Sequence, residues 1–181
     1  MSSYKQNEGN WLERLIHKIP GYSGYMDREQ RRDLDKRHRE GLAERLRHLK
    51  TPLTELMKQL TDGGRMFEIK PIDQAIKKLD TLENRIRFAS YGYAGFFDVV
   101  KIEEPQLNAI YQFDLALIEQ VEALEAQTAD VATHAATTEG LKSSVAALTA
   151  RLDGLVKTFD DRHQAIDRYG QEGPPGRPLF T

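Results

Sequence analysis

The chain has 181 residues, 39% hydrophobic and 30% charged, with a net charge of −2 and a mean hydropathy of −0.61. No window reaches the ~18 consecutive apolar residues of a membrane-spanning helix. The opening MSSYKQNEGNW lacks the charged-then-apolar layout of a signal peptide, so a cytoplasmic location is expected. The absence of Cys excludes disulfides, iron–sulfur clusters, Cys-ligated zinc and thiol catalysis.

The first element is a short amphipathic helix. Trp11, Leu12, Leu15, Ile16 and Ile19 fall on one stripe, Glu13, Arg14, His17 and Lys18 fall opposite, and Pro20-Gly21 ends it. Such a stripe either caps the open end of a helical bundle or lies flat in a membrane interface. Residues 1–26, with the turn Gly21-Tyr22-Ser23-Gly24-Tyr25, form an N-terminal appendage.

A bundle is expected over residues 27–169. Asp27 is placed to cap its first helix, and from Leu42 the apolar residues alternate by four and three: Leu42, Leu46, Leu49, Leu53, Leu56, Leu60. That is a heptad seam. Pro52 either kinks this helix or separates two, with Thr51 capping the second and Pro52 first in it. Asp62-Gly63-Gly64 marks a stop. Pro71 opens a third pattern through Ile72, Ile76, Leu79, Leu82 or Glu83, Ile86 and Ala89. Glu104-Pro105 opens a fourth, through Leu107, Ile110, Asp114, Leu117, Val121, Leu124, Thr128, Val131 and Ala135. The spacing continues through Thr138, Leu141, Val145, Leu148, Leu152, Leu155, Phe159 and Ile166.

Unbroken, residues 105–169 would make a rod of about 97 Å, with a long apolar stripe that only oligomerisation would cover. A fold-back near Thr137–Gly140, where the seam is weakest and Gly140 lowers helix propensity, avoids this. The expected fold is all-α: an antiparallel bundle of about four long helices with coiled-coil-like packing and a short N-terminal helix. A dimer built on the rod is the alternative. The tail, residues 170–181, is rich in Pro and Gly and is expected to be extended. Pro175, Pro178, Leu179 and Phe180 there make a candidate docking peptide.

Charge is unevenly placed, at net +4 over residues 1–100 and net −6 over 101–181. The two halves are expected to pair face to face, with charge helping to set the register. An anionic membrane or nucleic acid facing the basic half is the other option. Nucleic acid is the weaker of these, because six acids interleave with the nine Lys/Arg of residues 27–50 and dilute any phosphate contact.

Signals for chemistry are few. A di-iron bundle needs Glu-x-x-His units, and none occurs. Of His17, His38, His48, His134 and His163, only His38 and His134 coincide with seam positions; helical spacing pairs Glu44 with His48, Asp130 with His134 and Asp160 with His163, and solvated ion pairs of this kind explain the histidines. No metal or other cofactor is expected. No G-x-S-x-G, Walker A or strand-linked G-x-G-x-x-G appears, so no enzyme is expected.

Two aromatic–glycine segments exceed what a minimal bundle requires. Tyr22 and Tyr25 sit in the first; Tyr91, Tyr93, Phe96 and Phe97 sit in YGYAGFF. Glycine permits close backbone approach and Tyr offers a flat apolar body with a polar tip. The two segments either cap one bundle end or present an aromatic patch there. Arg85 and Arg87 are candidates to hold Asp27 or Asp98 near them.

IPGYSGYMDREQRRDLDKRHREGLAERL, ENRIRFASYGYAGFFDVVKI and QLNAIYQFDLALIEQVEAL together resemble a family of small bacterial helical proteins. Its members share an IPGY-x-GY opening, an arginine-rich first helix and a YGY-x-G-F motif. The resemblance covers roughly residues 10–125 and implies a bacterial cytoplasmic origin without an activity. The expected function is a non-enzymatic scaffold or adaptor that binds a protein partner through Tyr22, Tyr25, Tyr91, Tyr93, Phe96 and Phe97. The alternatives are a peripheral membrane protein using Trp11, Leu12, Leu15, Ile16 and Ile19, and, more weakly, a nucleic-acid-associated protein. A homo-oligomer is compatible with each.

Overall fold

A computed structural model describes Lys18, residues 28–89 and residues 104–171. Its elements are α1 (Arg28–His48), α2 (Lys50–Asp62), a 3₁₀ turn (Met66–Glu68), α3 (Ile69–Arg87), α4 (Glu104–His134) and α5 (Thr138–Gln171). The described residues contain no strand. Because α1 and α2 follow almost without a break, four helices pack against one another.

Pro52 acts as a local irregularity and not as a helix start. Leu49, the one residue between α1 and α2, keeps right-handed helical angles (φ −66°, ψ −19°), and its N–H donates to the Leu46 carbonyl at 3.2 Å in a tightened turn. Thr51 is inside α2 and caps nothing, and Pro52 stands third in that helix. A proline there lacks the N–H of the ordinary ladder and crowds the His48 carbonyl four residues earlier, so the strain is taken up one turn upstream.

Glycines end α2 by satisfying its last carbonyls. Arg65 N–H donates to Leu60 at 2.8 Å and Gly64 N–H to Thr61 at 3.1 Å, with Gly64 at φ +72°. This is the Schellman pattern, which requires a left-handed residue. The third helix starts at Ile69, two residues before Pro71.

Residues 104–171 fold back between His134 and Thr138, and the single rod is excluded. Thr137 Oγ1 accepts the Gly140 N–H at 3.1 Å, a cap on α5. A Cβ at Gly140 would lie 2.8 Å from the His134 carbonyl oxygen and 2.8 Å from Thr137 Oγ1. Close approach explains the glycine, beyond its weak helix propensity. The fifth helix extends to Gln171, past the expected boundary at residue 169, so Gly170 does not end it.

The seams close on one another. Leu42, Leu46, Leu53, Leu56 and Leu60 of α1–α2, Ile72, Leu79, Leu82 and Ile86 of α3, Leu117, Val121, Leu124 and Val131 of α4, and Leu141, Val145, Leu148, Leu152, Leu155 and Phe159 of α5 form one buried cluster. Both Leu82 and Glu83 are buried. Around the core, charge pairs join the basic first half to the acidic second. Lys18 pairs with Glu122 and Arg85 with Asp160; Arg45 grips Glu125 through two 2.7 Å bonds; Lys78 meets Asp153 at 2.5 Å. Arg85 also lies 5.5 Å from the centre of the Phe159 ring, and Arg87 reaches Glu83 at 2.9 Å and Glu44 at 3.6 Å. These acids are the partners found for the two arginines among the described residues; the expected partners, Asp27 and Asp98, lie outside them.

Candidate functional site

Four charged side chains interrupt the apolar seam at one level of the bundle. Asp35 and Arg39 come from α1, Asp114 from α4 and Arg162 from α5, and all four are buried. They occupy seam positions. Continuing the four-and-three alternation upstream from Leu42 lands on Arg39 and then Asp35, and the step from Phe159 to Ile166 passes through Arg162.

Arg162, 1% exposed, is the hub. Its Nε donates to Asp114 Oδ1 at 2.5 Å and its Nη2 to Asp35 Oδ1 at 2.8 Å. Arg39 Nε donates to the other oxygen of Asp35 at 2.9 Å. Arg39 Nη1 reaches the carbonyls of Ile86 and Arg87 at 3.3 and 3.2 Å, which are acceptors left over at the end of α3. Two carboxylates face two guanidinium groups, so the cluster is neutral overall, and it ties α1, α3, α4 and α5 together. Burying charge at this depth is tolerated only when each group is paired and hydrogen-bonded.

His38 stands beside the cluster, its Nε2 3.6 Å from Asp114 Oδ1 and without a hydrogen-bond partner. Burial, with Arg162 and Arg39 nearby, pushes the imidazole below its ordinary value of 6.5 despite the opposing pull of Asp114 and Asp35. A neutral ring suits a cluster whose charges already cancel.

α3 stops at Arg87, level with Arg39. From that level α1, α4 and α5 each run on about 13–16 Å at 1.5 Å per residue. The chain enters α1, leaves α3 and enters α4 at this end. Just below it, a cleft of about 510 Å³ opens, lined by Lys18, Leu34, Arg37, His38, Gly41, Leu42, Glu44, Arg45 and Ile118.

At the opposite end, Arg65 clamps the turn after α2. It donates to both oxygens of Glu68 at 2.9 and 2.5 Å and to the Ala135 carbonyl at 2.6 Å. Thr138 Oγ1 also donates to Glu68, at 3.2 Å. Met66 and Phe67 point outward from this turn, Phe67 being 98% exposed.

The expected partner residues Tyr22, Tyr25, Tyr91, Tyr93, Phe96 and Phe97 lie outside the described residues. So do the stripe Trp11, Leu12, Leu15, Ile16 and Ile19 and the tail residues Pro175, Pro178, Leu179 and Phe180. Among the histidines, His48 meets Glu44 at 3.1 Å and His134 meets Asp130 at 3.2 Å. His163 faces Asp167 at 3.5 Å, and the expected partner Asp160 pairs with Arg85. Among the described residues no three His, Asp or Glu side chains are grouped to hold a metal ion, and no helix is long and apolar enough to cross a membrane. Comparison with protein-family models, curated proteins and solved structures finds no match.

Proposed function

We propose that the protein is a non-enzymatic helical scaffold. It is an antiparallel bundle with coiled-coil-like packing that binds a protein partner at the end where α3 stops short. The carrying observation is the buried Asp35–Arg39–Asp114–Arg162 cluster, which locks the helices at the level where α3 ends. A rigid frame there suits display of the two aromatic–glycine segments, which in the sequence precede α1 and follow α3. The direction of the cross-helix pairs supports the antiparallel reading: Arg39 meets Ile86 and Lys50 meets Asp80, while Asp114 meets Arg162, Gln120 meets Thr158 and Gln127 meets Arg151. The unbroken four-and-three seams support the coiled-coil packing.

Lys18 is half-buried against the bundle and paired with Glu122 of α4. The IPGY-x-GY and YGY-x-G-F resemblance supports a bacterial cytoplasmic setting.

The test is affinity capture from the native cell with wild type and a Tyr91→Ala/Phe96→Ala variant whose thermal midpoint matches. Loss of a partner in the variant is expected. An unchanged set of captured proteins overturns the proposal.

A further inference from the structure

The cleft between α1 and α4 has the composition of a ligand site, and the geometry points to an amphipathic anion as its occupant: a carboxylate or phosphate head on a short apolar body. Its volume of about 510 Å³ lies within the ~300–1,000 Å³ range of small-molecule sites. Leu34, Leu42 and Ile118 supply apolar wall, and Lys18, Arg37 and Arg45 supply cationic rim.

The rim is not uniformly available. Lys18 is neutralised by Glu122 and Arg45 by Glu125. The rim's acid, Glu44, is taken up by Arg47 at 2.5 Å and His48 at 3.1 Å. Arg37 is exposed and forms no ion pair among the described residues, so it is the cation with capacity to spare. An arginine fork matches the oxygens of a carboxylate or phosphate. His38 lines the cleft as a second polar side chain, with its Nε2 buried and turned toward Asp114 at 3.6 Å.

Gly41 is the independent observation. A glycine inside a helix is unfavourable relative to alanine, and packing does not require this one, because nothing lies within 4 Å of where its Cβ would stand. What the missing side chain does is leave the cleft open. A Cβ at position 41 would stand in open space, and a longer side chain there would extend into the cleft that Gly41 lines.

The probes are decanoate below its micelle concentration, inorganic phosphate and decanol, added to the isotope-labelled full chain and followed by NMR and calorimetry. Decanoate is expected to saturate, shifting the Gly41 amide and the His38 ring. Arg37→Gln is expected to weaken it about tenfold, the value of one charge-assisted contact. Gly41→Leu is expected to abolish binding while thermal unfolding stays cooperative, and Gly41→Ala, whose Cβ meets nothing within 4 Å, to fold as the wild type does. Phosphate is expected to bind weakly at the same residues, and decanol not to bind. Absence of decanoate shifts in the cleft, equal binding by Gly41→Leu, or decanol binding as well as decanoate each overturns the proposal. Phosphate matching decanoate in affinity overturns the apolar half of it. None of these results bears on capture of a protein partner by the aromatic segments, so the two proposals fail separately.

Discussion

Arg162→Met is the sharpest perturbation of this fold. Methionine approximates the length of the buried stem, so the loss is chiefly that of one positive charge with its bonds of 2.5 and 2.8 Å to Asp114 and Asp35. Two buried carboxylates would then share one guanidinium, and Asp114 would keep only His38, 3.6 Å away. Removing one member of a buried ion pair costs about 3–5 kcal/mol, and at about 2–4 °C per kcal/mol for a chain of this size the thermal midpoint falls by roughly 6–20 °C. The substitution also changes the response to pH. In the wild type, burial and Arg162 hold the His38 pKa below 6.5. The folded state therefore binds fewer protons than the unfolded chain, and stability is lost as pH falls below that value. Without Arg162 burial still lowers the His38 pKa, but the pull of Asp114 and Asp35 is less opposed, so the pKa rises and the penalty of the substitution shrinks toward pH 5.5. Urea unfolding of both proteins at pH 5.5 and 7.5, with the His38 ring followed by NMR, measures both effects. A loss below about 1 kcal/mol, the worth of an exposed pair, refutes the buried-hub account. So does a His38 titration that does not move upward.

Gly140→Ala is expected to destabilise by about 1–3 kcal/mol, because its Cβ meets a backbone carbonyl at 2.8 Å that cannot swing aside. Gly154→Ala, with nothing within 4 Å, is expected to stabilise by about 0.5–1 kcal/mol; chemical denaturation of the pair tests both signs. Gly64→Ala forces a Cβ onto a left-handed residue at φ +72° and should cost about 1–2 kcal/mol by the same assay. Burial raises the Glu83 pKa, but Lys50 and Arg87 outweigh it and hold the carboxyl below 4.5. Its contribution is therefore present above that value and lost as pH falls through the lower folded pKa. The stability gap between wild type and Glu83→Gln should accordingly close on acidification below about pH 4, as read from urea midpoints across a pH series.

Much of the architecture is legible from spacing alone. The runs Leu42–Leu60, Ile72–Ile86 and Leu141–Phe159 repeat at a period that only a helix lying along other helices can bury, so fold class and core follow from residue order. The stop at Gly63-Gly64 and the fold-back near Gly140 are local as well, since each depends on residues within one turn. The same spacing contained a signal that apolar pattern-reading passes over. Asp35, Arg39 and Arg162 are charged residues on the seam itself, where a heptad expects Leu, and continuing the register through them would have marked the cluster.

What the sequence could not disclose is which charges face one another. Asp35 and Arg162 are separated by 127 positions, and only closure of the bundle, in which α3 packs on both α1 and α5 and α4 on both as well, makes them partners. His38 illustrates the same limit: its spacing places it one residue before the seam position Arg39, whereas its neutrality depends on four charges from three helices. Burial amplifies such meetings, because removal of water makes an unmatched charge costly and a matched set specific. Helical periodicity is a property of neighbours along the chain and can be read there. Electrostatic balance is a property of neighbours in space, and it came into being only when the helices closed around Arg162.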